Sequence, residues 1–144
     1  MDGHGVPKDD GKALFWFRKA AAQNLGLAQT NMGKMYLRGR GVPEDHEKAI
    51  QMMEQGAAHG DVDAYFLLGS IYYEGKSVPQ DYAQSAQYLQ KGAEQGSALA
   101  QRSLGYMYWN GRGVPKDKNK ARAWMRKAAA QGDGVALMAL REMQ

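Results

Sequence analysis

Residues 97–132 read SALAQRSLGYMYWNGRGVPKDKNKARAWMRKAAAQG, and this stretch decides the fold because its pattern returns every 36 residues along the 144-residue chain. Val-Pro stands at 6–7, 42–43, 78–79 and 114–115. Shifted by one period, Asp9, Asp45, Asp81 and Asp117 share a column, and so do Ala28, Ala64, Ala100 and Ala136. Met32, Leu68, Leu104 and Leu140 form an apolar column, and Gly33, Gly69 and Gly105 a small one. A period of this length is the mark of a stacked-repeat architecture. No low-complexity linker interrupts it, so the pattern predicts one elongated domain over 1–144: a partial repeat at 1–24 (second helix only), full repeats at 25–60, 61–96 and 97–132, and a partial repeat at 133–144 (first helix only).

Each period reads as two helices. The first spans about residues 28–37, with Ala28, Met32 and Tyr36 four apart on one stripe. Gly39, Gly75 and Gly111 close it, because glycine takes the left-handed conformation that ends a helix. Pro43 then bars helix and biases Val42 towards extended backbone. Asp45 is the expected N-cap of a second helix over about residues 47–58, where its carboxylate accepts orphan N–H groups. That helix stops at the column of Gly60, Gly96 and Gly132, with Asn24 standing in the first copy. Glycine inside a helix costs about 1 kcal/mol relative to alanine, so Gly33, Gly69 and Gly105 predict close helix approach. Ala20, Gly56, Gly92 and Ala128 predict the same from the partner helix. Arg141 breaks the Gly33 column, which suggests that no further helix packs there and predicts an array ending near Gln144. The apolar run Leu14 to Phe17 in a helix at 11–23 suggests an array cut from a longer one at its N-terminus, which would also have removed any export signal.

Composition agrees. Val, Ile and Thr total nine residues against 21 Ala, which disfavours strands. A hydrophobic content of 44% suffices for a core. Cysteine is absent, which excludes disulfide scaffolds, thiolate metal sites and Cys nucleophiles. No apolar run reaches the roughly 18 residues of a membrane span, and residues 1–5 are no signal peptide. The net charge of +4 names no partner.

The repeated residues resemble the Sel-one-like repeat family of the tetratricopeptide superfamily. That family's pattern is matched by Ala100, Leu104, Gly105, Tyr108, Gly111, Gly113, Val114, Asp117, Ala121, Trp124, Lys127, Ala128, Ala129 and Gly132. Other copies depart at Ser77, Met52, Tyr88 and Ser85. The resemblance covers essentially the whole chain. It implies an all-α fold, a right-handed α-α superhelix of antiparallel helix pairs, and an adaptor that binds proteins. Such proteins are common in bacteria and are often exported or periplasmic; some members are similar to immunity proteins that neutralise antibacterial phospholipases. Cysteine-rich relatives have been linked with penicillin binding and weak β-lactamase activity, but this chain lacks those cysteines and any S-x-x-K motif.

The copies serve as controls for one another: columns fixed in every copy answer to the fold, and columns that vary are free to carry recognition. Stepping about 100° per residue from the buried Met32 puts Leu27, Thr30, Lys34, Leu37 and Arg38 on the far side of the first helix. In a tetratricopeptide-like stack this side lines the concave groove. The corresponding residues are Asp63, Phe66, Ser70, Tyr73 and Glu74, then Leu99, Arg102, Tyr106, Trp109 and Asn110, then Val135, Met138 and Glu142. Thr30, Lys34, Leu37, Arg38, Phe66, Ser70, Tyr73, Arg102, Tyr106, Trp109 and Met138 are therefore the expected partner-binding residues. Aromatic rings beside Arg102 and Lys34 match the chemistry of interface hot spots. The competing reading of Tyr73 and Trp109 is packing at helix ends against the next loop or repeat.

Other features read as structure. His4, His46 and His59 fall in different columns without companion ligands, so no metal or other cofactor is expected. Gly39-x-Gly41 and Gly111-x-Gly113 follow no strand and end a helix rather than cradle phosphate. Trp16, Met52, Tyr88 and Trp124 share a column of the second helix and read as core filling. Lys116, Lys118, Lys120, Arg122, Arg126 and Lys127 read as a solvated convex face; docking to an acidic protein surface comes next, and nucleic acid last, since no reader motif accompanies the charge. The leading function is a non-enzymatic interaction module for a protein or peptide, immunity to a secreted toxin being one form. A weak hydrolase and a passive spacer in a longer array are the alternatives, and an uncapped apolar end could pair with a second copy.

Overall fold

The computed structural model describes residues 10–22 and 25–144. His4, the first Val-Pro, Asp9 and Asn24 lie outside the described residues, as do the side chains of Ala20 and Ala21. Among the described residues there are eight helices and no strand: α1 (Asp10–Ala22), α2 (Gly26–Arg38), α3 (His46–Ala58), α4 (Asp63–Glu74), α5 (Tyr82–Glu94), α6 (Ala98–Asn110), α7 (Lys118–Ala130) and α8 (Gly134–Glu142). Contacts gather the chain into two compact units, residues 1–61 with α1 to α3 and residues 62–144 with α4 to α8.

Local chemistry sets each helix end. Gly39, Gly75 and Gly111 sit at φ 66°, 71° and 71° just beyond α2, α4 and α6. This is the left-handed region that costs glycine nothing and other residues strain. Asp45, Asp81 and Asp117 cap α3, α5 and α7, each carboxylate accepting the backbone N–H three residues on at 3.0 Å. The loop is also clipped to the first helix of its own pair. Asp45, Asp81 and Asp117 donate their backbone N–H to the carbonyls of Tyr36, Tyr72 and Tyr108, each at 2.9 Å. Asp81→Ala should therefore cost about 1 kcal/mol of stability, read as a lower urea midpoint at unchanged helicity; an unshifted midpoint would mean that the backbone clip alone fixes the α5 terminus.

The first unit packs α1 and α3 on α2. Leu14, Met32 and Met35 are its buried centre, with Phe17, Tyr36, Val42 and Met52 against them. Gly26 at the start of α2 faces the end of α3, while Gly33 faces Ala49 and Met53 nearer its start, so the two helices run antiparallel. In the second unit Ala86, Leu89, Ala93, Ala100, Leu104 and Met107 join α5 to α6, and Met125, Ala128, Ala136, Ala139 and Met143 join α7 to α8. Ser85, which replaces alanine in its column, is buried and donates to the Gly69 carbonyl at 2.7 Å. Its hydroxyl thus carries no desolvation penalty.

One core expectation is corrected. Tyr88 is buried and stacks on Tyr72 at 5.7 Å, Trp124 packs on the α5–α6 cluster and Met52 on the α1–α2 centre, but Trp16 of the same column is 63% exposed. Tyr88 and Trp124 rest on helices that precede them in the chain. What precedes α1 is residues 1–9, outside the described residues.

Candidate functional site

The first helices of the second unit build a concavity. α4 turns Phe66, Ser70 and Tyr73, and α6 turns Arg102 and Tyr106, each set spaced by helical turns, toward one space, and Gly69 lets Leu89 of α5 pack close against α4 beneath it. The result is a cavity of about 550 Å³. Phe66, Ser70, Tyr73 and Glu74 of α4 line one side, and Arg102, Ser103, Tyr106 and Asn110 of α6 the other. Leu89 and Met107, both members of the buried cluster, form the floor, and Val135 of α8 closes one end.

Hydrogen bonds fix three of the polar side chains in this lining, Ser70, Tyr73 and Arg102. Arg102 pairs with Asp133 at 3.3 Å, and the same carboxylate oxygen accepts the Ala136 N–H at 3.0 Å to cap α8. The pair is mostly shielded from water, so Arg102 is held as a fixed wall and contributes little free charge. The Ser70 hydroxyl turns back onto the Phe66 carbonyl at 2.9 Å. Tyr73 stands against Tyr82 with ring centroids 5.0 Å apart, and its hydroxyl accepts from Arg112 at 2.8 Å. That hydrogen bond raises the Arg112 pKa above its ordinary value, and the guanidinium lies 5.6 Å over the Tyr82 ring. Of the rings in this lining, Tyr106, 39% exposed, projects furthest into solvent. An apolar floor, three aromatic rings and a polar rim, in which Arg102 is paired with Asp133, can hold an apolar or aromatic side chain with its backbone along the rim.

A second cavity of about 300 Å³ lies in the first unit, between α1 and α2. Asp10, Ala13 and Phe17 line it from α1, Asn31, Lys34, Met35 and Arg38 from α2, and Arg40 from the loop. Arg40 reaches both oxygens of Asp10, at 3.3 Å each.

Of the expected partner-binding residues, Phe66, Ser70, Tyr73, Arg102 and Tyr106 come together in the larger cavity, and Lys34 and Arg38 in the smaller. Leu37 is half-buried and lines neither. Met138, 65% exposed, lies with Val135 and Leu137 on an open face of α8. Two placements are corrected. Thr30 is 1% exposed: its hydroxyl donates to the Gly26 carbonyl at 3.1 Å and Gly56 of α3 lies directly against it. The column sits at the edge of the helix contact, where Phe66 and Arg102 are long enough to reach out and a threonine is covered. Trp109 follows the competing reading: it packs on the Met125 cluster, with Lys118 and Arg122 at 4.7 and 5.5 Å over its ring. Leu89 and Met107 were missed because apolar residues in core columns carry no sign of which ones a cavity reaches.

The remaining signals resolve locally. His46 bonds Glu44 at 2.6 Å and His59 bonds Gln29 at 2.8 Å. Among the described residues no three His, Cys, Asp or Glu converge as metal ligands. Gly41 and Gly113, like the glycines two before them, have positive φ and belong to the loop that ends the first helix. No helix among the described residues is long and apolar enough to cross a membrane. The basic segment stays in water but rests on rings, with Lys120 over Tyr108 at 5.4 Å and Lys127 over Trp124 at 4.8 Å.

Comparison with known proteins supplies a family. The Sel1 repeat model matches residues 1–25, 26–61, 62–97 and 98–133, one residue later than the frame read from the sequence. A Sel1 repeat protein from Oxalobacter formigenes is 42% identical, with a TM-score of 0.86 over 93% of this chain and 55% of its own. A protective antigen present in uropathogenic Escherichia coli strains, displaying an SLR fold, is 36% identical, with a TM-score of 0.87 over 99% of this chain and 31% of its own. The chain thus spans about half and a third of the lengths of these two. Helicobacter pylori cysteine rich protein B is 26% identical, with a TM-score of 0.72 over 96% of this chain and 99% of its own. No curated protein matches the chain. These neighbours place the fold as an all-α solenoid of helix pairs, the class that the repeated columns implied.

Proposed function

The chain belongs to the Sel1 repeat family, a family of protein-interaction scaffolds, and on that premise we propose that the cavity between α4 and α6 binds a protein or peptide partner through an apolar or aromatic anchor residue. The observation that carries this reading is the exposure of Tyr106 beside half-buried Phe66 and Tyr73, over a floor that is already packed. A ring left part-way into water on a rigid wall gains by being covered. The fold does not ask for these side chains: the Tyr106 column holds Lys34 and Ser70, and the Phe66 column holds Thr30, Arg102 and Met138. The lining has Glu74 as its one carboxylate and no histidine or cysteine, a poor set for acid–base or nucleophilic chemistry.

Random peptides displayed against the protein test the reading. Selected peptides should carry an apolar or aromatic anchor, and Phe66→Ala and Tyr106→Ala together should weaken their binding by at least about tenfold, equivalent to 1.4 kcal/mol, in protein that keeps its helical signal. The melting temperature should fall with Phe66→Ala, whose ring packs against the Leu89 cluster, and stay unchanged with Tyr106→Ala alone. Selection that yields no binder, or binders indifferent to both substitutions, overturns it. Immunity to a secreted phospholipase is the form in which the toxin itself competes with these peptides for the cavity.

A further inference from the structure

The smaller cavity repeats one wall and part of the floor of the larger one, two periods earlier in the chain. Phe17, Asn31, Lys34, Met35 and Arg38 occupy the columns of Leu89, Ser103, Tyr106, Met107 and Asn110. These five positions correspond and their chemistry does not; the α4 wall of the larger cavity has no counterpart in the lining of the smaller. Where the larger cavity offers a phenol and an amide, the smaller offers an ammonium and a guanidinium. Lys34 and Arg38 stand four apart on α2, one above the other, an arrangement of like charges that costs a helix a few tenths of a kcal/mol. Neither has an ion-pair partner among the described residues, because the one carboxylate of the lining, Asp10, is taken by both nitrogen contacts of Arg40. Among the described residues the cavity therefore keeps two uncompensated positive charges beside an apolar wall of Ala13, Phe17 and Met35. Other copies hold Ser70 and Tyr106 in the Lys34 column, and Glu74 and Asn110 in the Arg38 column. Neither cation is demanded by the helix pair.

We propose that this cavity is a second recognition site, which takes an acidic segment of a peptide or protein: a Glu or Asp carboxylate on Lys34 and Arg38, with a neighbouring apolar side chain against Phe17 and Met35. The inference rests on the protein-binding reading above, at a different cavity. Two singly charged donors held over an apolar wall match a carboxylate next to a hydrophobic side chain better than a fully hydrated inorganic anion, for which the wall offers nothing.

Fluorescence polarisation with a labelled peptide of alternating Leu and Glu tests it, against the same peptide with Gln for Glu and with inorganic phosphate as competitor. The acidic peptide should bind at least about tenfold tighter than the Gln peptide and weaken as salt rises. Lys34→Ser with Arg38→Asn, residues other copies hold in those columns, should remove that preference. Lys34→Gln with Arg38→Gln serves as a second neutral pair. Lys91→Gln with Lys127→Gln makes the same change in net charge on the second unit and should leave the affinity unchanged. Equal binding of the two peptides, indifference to either neutral pair, or displacement by phosphate as effective as by unlabelled peptide overturns the proposal. If the acidic peptide fails while displayed peptides still bind through Tyr106, only this second site falls; if both fail, the scaffold reading falls with it.

Discussion

Leu104→Ala is expected to cost about 3 kcal/mol of stability, within the range for truncating a fully buried leucine. Leu104 has no exposed surface and sits among Leu89, Ala100 and Met107, on the side of α6 turned away from the cavity. Its neighbours belong to two helices held by capped ends, so the space left by three lost carbons cannot close by simple collapse. Leu140 provides a control from the same column: it is part-exposed at the edge of the α7–α8 cluster, and Leu140→Ala should cost less than half as much. Urea unfolding measures both, and the free energy of local opening from amide hydrogen exchange in α6 should fall by a comparable amount, a rate increase of about a hundredfold. The effect reaches function because Leu89 and Met107 are the floor of the partner cavity. A floor that repacks should lose affinity without any change at Tyr106. A loss below about 1 kcal/mol would mean that the helices close over the gap, and the rigid-floor account of the cavity would fail.

The fold was legible because the repeat prints each structural demand several times. A single Asp before a helix is a weak sign; Asp45, Asp81 and Asp117 at one register name a cap, and each carboxylate does accept the third amide. The same redundancy marked the glycines at helix ends and at helix contacts. What did not show was anything carried by the main chain: the clip from the Asp N–H to the Tyr carbonyl leaves no trace in side-chain identity. The candidate site was legible in outline, since helix phase alone picked out Phe66, Tyr73, Arg102 and Tyr106, which line the two sides of one cavity. It misplaced Thr30 because phase gives a direction and not a depth, and depth there depends on side-chain length and on how near α3 comes. It misread Trp16, whose counterparts Tyr88 and Trp124 pack on helices that precede them, while what precedes α1 lies outside the described residues. Trp109 shows the third limit: the following helix brings Lys118 and Arg122 over the ring, a contact across a loop that column comparison cannot see.

Gly56→Ala should destabilise the α2–α3 pair by about 2 kcal/mol, although alanine is the better helix former by about 1 kcal/mol. Sign and size follow from what an added methyl would meet. At Gly56 it would overlap the buried Thr30 hydroxyl and lie 2.8 Å from the Gly26 carbonyl oxygen and 3.0 Å from the Thr30 nitrogen. Two of the three are backbone, so no rotamer change relieves them, and α3 must move away from α2. Gly105 makes the contrast. Its three nearest neighbours are the Met125 Cγ and Cε at 3.0 and 3.1 Å and the Ala121 carbonyl oxygen at 3.2 Å, contacts that need shifts of only a few tenths of an ångström. Gly105→Ala should therefore come out near neutral, propensity offsetting a small shift of Met125. Thr30→Ala removes the hydroxyl but not the backbone clash, so the Thr30→Ala, Gly56→Ala double variant should recover part of the loss, a coupling of about 1 kcal/mol. Urea midpoints of the four proteins decide it. Equal effects at Gly56 and Gly105 would show that helix propensity governs both positions; strict additivity of Thr30→Ala and Gly56→Ala would show that the threonine hydroxyl is not what fills the space, and the burial that removes Thr30 from the recognition surface would need another cause.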